Sequence, residues 1–236
     1  MNSTGHKSIE NEPDAGNSAR WVTLGIALMA GLIPLAMVPG WSLYFDVAPK
    51  IAVLLCGTAL LLLNFQRLEL SVTRVINTRA GRILAACLTL QLLSLVVSTC
   101  FSSNWVISLF GTGWRRFGTI EHFAILLFAF LAAAHLTGEA SRLAVLLRVL
   151  CVSAMLLGAY GILQYLGWDP FQNSEGYQSL FGKLRIVRPP GTLGNATYFA
   201  NYLSFLLFAL TGSAIAERST PWRIAAIASV DRKSVV

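Results

Sequence analysis

Apolar positions fall in long blocks separated by short polar stretches. The blocks are Trp21–Pro39, Val47–Leu63, Ile83–Phe101, Thr119–Leu136, Leu143–Leu166 and Thr197–Ala216, with a shorter run at Pro221–Val230. Each of the first six runs about 17–24 residues. At 1.5 Å per helical residue that is enough to cross a hydrocarbon core of ~30 Å. The pattern predicts an all-α, polytopic membrane helix bundle with six full spans and a partial seventh, 221–230. Residues 1–20 are polar and mildly acidic (Glu10, Glu12, Asp14) and read as a disordered tail. They lack the basic start and the small-residue cleavage site of a secretory leader. Pro34 falls inside the first run, where a membrane helix tolerates a kink.

Composition sharpens this picture. Hydrophobic residues make up 55% of the 236 and charged residues only 12%, with mean hydropathy +0.63. A water-soluble domain carries roughly 25% charged residues. An ordinary soluble enzyme, a disordered protein and a fibrous repeat are thereby excluded. The net charge of +7 would in a soluble chain raise nucleic acid as a partner, but here the basic residues lie between apolar runs and obey topology. Cys56, Cys87, Cys100 and Cys151 form no C-x-x-C pair, and His6, His122 and His135 are scattered, so neither a metal site nor a redox motif is expected.

Loop charge predicts orientation. With the N-terminus in the cytoplasm, the inside segments hold Lys7, Arg20, Arg67, Arg74, Arg79, Arg82, Arg142, Arg148, Arg218 and Arg223. The outside segments hold the shorter set Lys50, Arg115, Arg116, Lys183, Arg185 and Arg188. The excess inside favours this orientation. Arg148 lies within the fifth run near its inner end, where it can snorkel. The outer basic residues run against topology, and most fall in two loops, 102–118 and 167–196. Such loops suit an anionic ligand, or lipid phosphates at the interface.

The first loop is amphipathic and aromatic, with Ser103–Phe110 readable as a short helix lying on the membrane. Gly111, Gly113 and Gly118 surround the Arg115–Arg116 pair, and arginine clamps phosphate bidentately. Glu121 and His122 follow, where a carboxylate can orient Arg116 or cap the next helix. In the second loop Lys183, Arg185 and Arg188 precede Pro189-Pro190-Gly191-Thr192-Leu193-Gly194-Asn195. Glycines ahead of a helix expose backbone N–H groups, which with the helix dipole favour an anion. Asn195 or Thr197 is the expected N-cap.

The motif Arg188-x-x-Gly191-Thr192-x-Gly194-Asn195, followed by an aromatic, Ala-rich helix, resembles the O-antigen ligase family of bacterial inner-membrane glycosyltransferases. The Gly111-x-x-x-Arg115-x-x-Gly118 pattern is similar to a second feature of that family. The resemblance covers roughly residues 80–216. It implies a donor glycan carried on undecaprenyl diphosphate and transferred, with inversion, to an acceptor hydroxyl on the periplasmic face. The acceptor is a lipid or a protein, and no cofactor is used. It also implies diphosphate binding by Arg188 foremost, by Arg115 or Arg116 next, with Arg185 nearby, and backbone roles for Gly191, Thr192, Gly194 and Asn195. The family's acceptor-side His belongs to a large later loop that has no counterpart here. Two other readings compete: a transporter or flippase for an anionic or lipid-linked substrate, and a non-catalytic membrane scaffold.

The short seventh run is halted by Asp231-Arg232-Lys233, and 231–236 reads as the tail of a truncation within a helix. The 236-residue chain is therefore expected to show no glycan transfer when assayed alone with a polyprenyl-diphosphate donor. Clear turnover would refute that expectation.

Overall fold

The computed structural model describes residues 14–39, 46–112, 117–172, 177–181, 184–217 and 219–231. These form helices α1 (Asp14–Leu35), α2 (Val47–Leu63), α3 (Phe65–Ile76), α4 (Arg79–Cys100), α5 (Trp105–Phe110), α6 (Thr119–Leu136) and α7 (Ala140–Tyr165). Strands β1 (Gln178–Phe181) and β2 (Leu184–Val187), a 3₁₀ turn at Gly191–Leu193, and helices α8 (Ala196–Ala216) and α9 (Thr220–Asp231) follow. Helices α4, α6, α7 and α8 are each long and apolar enough to cross a membrane, and α2 with α3 makes a fifth if that bent pair counts as one span. The apolar part of α1, Ala19–Leu35, is shorter. Length and composition thus support four to five crossings where the apolar runs predict six.

Helix α1 packs between α2 and α7, α2 packs on α6, and α8 joins α7 on the far side, with α9 folded against both. One core cluster unites Val22 and Ile26 of α1, Leu61 of α2, Leu68, Val72 and Val75 of α3, and Leu131 and Ala134 of α6. A second unites Cys151 and Ala154 of α7 with Leu206 and Leu210 of α8. Helix α4 lies at the edge against α3, α5 and α6, and only its Gly81 is buried. Its flank of leucines and valines has no protein partner among the described residues, as lipid-facing helices do.

The structure departs from the sequence reading in four places. Helix α1 starts at Asp14, so residues 14–20 extend the first helix rather than the tail, and it ends at Leu35, directly after Pro34. Pro34 marks the end of the helix instead of kinking it mid-span. The connection after α2 is itself helical. At Asn64 the chain turns by 91°, and Leu68, Val72 and Val75 seat α3 on the core while Glu69 and Arg74 face outward. The second polar loop holds an antiparallel hairpin, Gln178 opposite Val187 and Phe181 opposite Leu184, inserted in an otherwise helical chain. Finally, α9 continues to Asp231.

Two glycines set the tight corners. At the α3–α4 corner Thr78 caps α4 by accepting from the Gly81 N–H at 3.0 Å, and a Cβ on Gly81 would strike the Val75 carbonyl. A Cβ on Gly118 would strike the Leu109 carbonyl, because α5 rests on the start of α6. By contrast, Gly158 in α7 has nothing within 4 Å of its Cβ position. Gly81→Ala should destabilise the protein by about 1–3 kcal/mol through overpacking. Gly158→Ala should be neutral or stabilise by roughly 0.5–1 kcal/mol through helix propensity. Denaturant unfolding in detergent micelles measures both, and equal effects would contradict the packing described.

Candidate functional site

At the end of the bundle where α1 and α7 finish and α2, α6 and α8 begin, the segment Arg188–Asn195 is bound to three helices. Hairpin register carries into it, because the Arg188 N–H donates to the Tyr177 carbonyl at 3.0 Å. Gly191 and Gly194 adopt positive φ of 57° and 69°, a region that suits glycine. The Gly191 N–H donates to Gln164 Oε1 of α7 at 2.9 Å, and Gln172 Nε2 donates to the Gly191 carbonyl at 3.1 Å. The Thr192 hydroxyl donates to the Pro34 carbonyl of α1 at 2.5 Å. Lys50 of α2 donates to three carbonyls: Thr192 at 2.6 Å, Asp46 at 2.7 Å and Ala36 at 2.8 Å. A Cβ on Gly194 would strike the Asp46 carboxylate, and Cβ atoms on Gly191 or Gly161 would strike the Phe199 ring between them. Asn195 is the N-cap of α8, its side chain accepting from the Thr197 N–H at 2.8 Å.

Behind the turn, the fully buried Gln164 also donates to Asp169 Oδ2 at 2.8 Å, and the Tyr160 hydroxyl donates to Asp169 Oδ1 at 2.8 Å. The backbone N–H groups of Phe171 and Gln172 each reach the same Oδ1 at 3.0 Å. Burial pushes the Asp169 carboxyl up, but these four donors together outweigh it and hold the group below the ordinary carboxylate range. The neighbouring Tyr177 phenol is pushed up, first by burial and then by the Asp169 charge.

Two grooves flank the first turn of α8. One, of about 590 Å³, is walled by α1, α2 and α6 and is chiefly apolar, with Asp46, Lys50 and Glu121 among its lining and Phe117, Leu193 and Tyr198 contributing. The other, of about 390 Å³, lies between the end of α7 and α8, lined by Tyr165, Pro189, Ala200, Leu203 and Leu207, with Arg188 beside them. Arg188 is exposed, and its guanidinium has no hydrogen bond or ion pair to any described residue.

Of the residues singled out from the sequence, Arg188, Gly191, Thr192, Gly194 and Asn195 come together here. Arg115 and Arg116 lie outside the described residues, as does Lys183; the chain re-enters at Phe117, on the wall of the larger groove. Arg185 stands on β2 opposite Leu180. The glycine segment differs from an open anion cradle: the Gly191 N–H is taken by Gln164, and Thr192 is buried against Pro34. Lys50, counted among the outer charges by topology, is tied to three carbonyls. Glu121 caps α6, its Oε2 accepting from the Gly118 N–H at 2.9 Å. Gln164 and Asp169 escaped the sequence reading. A lone glutamine within an apolar run was the available signal, since a buried amide needs partners.

Among the described residues no group of three His, Cys, Asp or Glu side chains could hold a metal ion. Compared with known proteins, the chain matches no family model, no curated protein and no solved structure.

Removing the Gln164 amide leaves Asp169 Oδ2 and the Gly191 N–H without this partner, each costing about 1–3 kcal/mol if left unsatisfied. Gln164→Leu should therefore lower the unfolding midpoint well below that of a Leu163→Ala control. Asp169 adds a pH dependence. Its folded pKa is depressed, so its stabilisation is fully present above the ordinary unfolded carboxylate pKa and is lost as pH falls through the lower folded value. Acid titration of unfolding should show this component in the wild type and lose it in Asp169→Asn.

Proposed function

We propose that this chain is an integral membrane protein of six spans with its N-terminus in the cytoplasm, and that it serves glycan transfer from undecaprenyl diphosphate at the periplasmic face of a bacterial inner membrane. The spans are 21–39, 47–63, 83–101, 119–136, 143–166 and 197–216. The Arg188 end of the bundle faces outward. In this reading the donor's diphosphate sits against Arg188, its polyprenyl chain runs down an adjoining apolar groove, and its glycan projects from the membrane toward an acceptor hydroxyl.

One observation carries the reading. Among the described residues Arg188 has no counter-ion, and its backbone fixes it at a groove beside a helix start. A solvated surface arginine needs no groove, and a structural one has a partner. The chemistry suits the placement. In transfer, the bond from the anomeric carbon to the diphosphate oxygen breaks as the acceptor oxygen bonds to that carbon. Negative charge builds on the leaving diphosphate. A pre-placed guanidinium stabilises that charge more in the transition state than in the bound donor. Arg115 or Arg116, which lie outside the described residues, would add a second guanidinium to the grip. Lys50, an outer basic residue by topology, takes no part in the grip, since its ammonium already has three carbonyl partners.

Arg188→Ala, introduced at the protein's own genomic locus, should abolish the surface glycan ladder at normal protein level, with a transfer rate lowered by about 10²–10³. Arg188→Lys should restore part of it, because lysine keeps the charge and loses the bidentate fork. An unchanged ladder in Arg188→Ala would reduce the protein to a scaffold.

A further inference from the structure

At the opposite end of the bundle a cavity of about 530 Å³ opens between α1 and the start of α7, lined by Arg20, Thr23, Leu24, Glu139, Ser141 and Arg142. Arg20 is exposed and has no hydrogen bond or ion pair to another described residue. Arg142 donates from Nη1 to the His135 carbonyl at 2.9 Å. That bond fixes its guanidinium at the wall while leaving its other N–H donors open. Helix α7 starts at the same wall, so the positive end of its dipole adds to the two guanidinium groups. Nearby, the Thr23 hydroxyl and His135 Nε2 lie 2.9 Å apart, both residues buried, and brace α1 against α6.

The charge and the shape specify the ligand. Among the described lining residues two guanidinium groups stand against the single Glu139 carboxylate, and one net positive charge matches a phosphodiester monoanion better than a phosphate dianion. Leu24 and Val145 give the cavity an apolar floor, a place for the first methylenes of acyl chains. Free phosphate would use the cations and leave that floor empty. We propose that this cavity is a binding site for the phosphodiester of an anionic phospholipid, in the leaflet opposite the Arg188 groove. The site rests on the chain lying in a membrane and is independent of glycan transfer.

Native mass spectrometry of the intact chain in detergent, titrated with phosphatidylglycerol, tests it. The wild type should hold one phosphatidylglycerol in preference to phosphatidylcholine. Arg20→Gln should weaken that binding about tenfold, the usual scale for losing one charge-assisted contact. Arg142→Gln should weaken it as well, and Arg79→Gln, at the same end but outside the cavity, should leave it unchanged. Because Arg142 also ties the α6–α7 corner, Arg20→Gln decides if Arg142→Gln fails to fold. Millimolar inorganic phosphate should not release the lipid. Equal retention by wild type and Arg20→Gln, no preference over phosphatidylcholine, or release by inorganic phosphate would each overturn the assignment.

Discussion

The architecture at the Arg188 end of the bundle depends on how one break in the helical chain is satisfied. Between β2 and α8 the backbone leaves regular structure at Pro189–Asn195, beside helices whose other faces are apolar. Lipid offers no partners for freed N–H and C=O groups, so such a break persists only where protein supplies them. Lys50, Gln164 and the Thr192 hydroxyl do so from α2, α7 and the turn itself, and the Thr192 bond reaches α1. Each is costly to remove, because the group left behind keeps its desolvation penalty. The same bonds fix where β2 ends, and therefore where Arg188 stands.

The clamp uses Lys50, Gln164, Gly191 and Thr192 internally and leaves Arg188 without a partner among the described residues. In the proposed function, a guanidinium held on such a frame suits a charged leaving group, since the site need not reorganise as that group departs. Phe199 is wedged between Gly161 of α7 and Gly191 of the turn. The larger groove and the Arg188 groove share the α8 start as a common wall.

Parts of this were legible in the residues. Spans 47–63 and 119–136 coincide with α2 and α6 because Asp46 and Asn64, and Gly118 and Thr137, bound them sharply. The short helix at Trp105–Phe110 follows from its polar Asn104 start, whose side chain accepts from the Ile107 N–H at 3.2 Å. Other parts were hidden for physical reasons. Among the described side chains, helix α3 buries Leu68, Val72 and Val75, a stripe easily lost among polar neighbours. The hairpin strands have four residues each, too few for an alternating signal. The clamp joins Lys50 to Thr192 across 142 residues and Thr192 to Pro34 across 158, and no local pattern encodes such pairs. Arg148 read as a snorkelling residue; it forms a two-bond ion pair with Glu217, both contacts 3.1 Å, beneath the Trp222 ring, a partner that only α8's length brings into reach.

Sidedness and occupancy of the Arg188 position test the central claim together. In a variant with the native cysteines replaced by serine and Arg188 kept, Ala196→Cys, on the wall of the Arg188 groove, should react with a membrane-impermeant maleimide added outside intact spheroplasts. Added undecaprenyl diphosphate should slow that reaction. Labelling confined to inverted vesicles, or a rate indifferent to the polyprenyl diphosphate, would contradict the account.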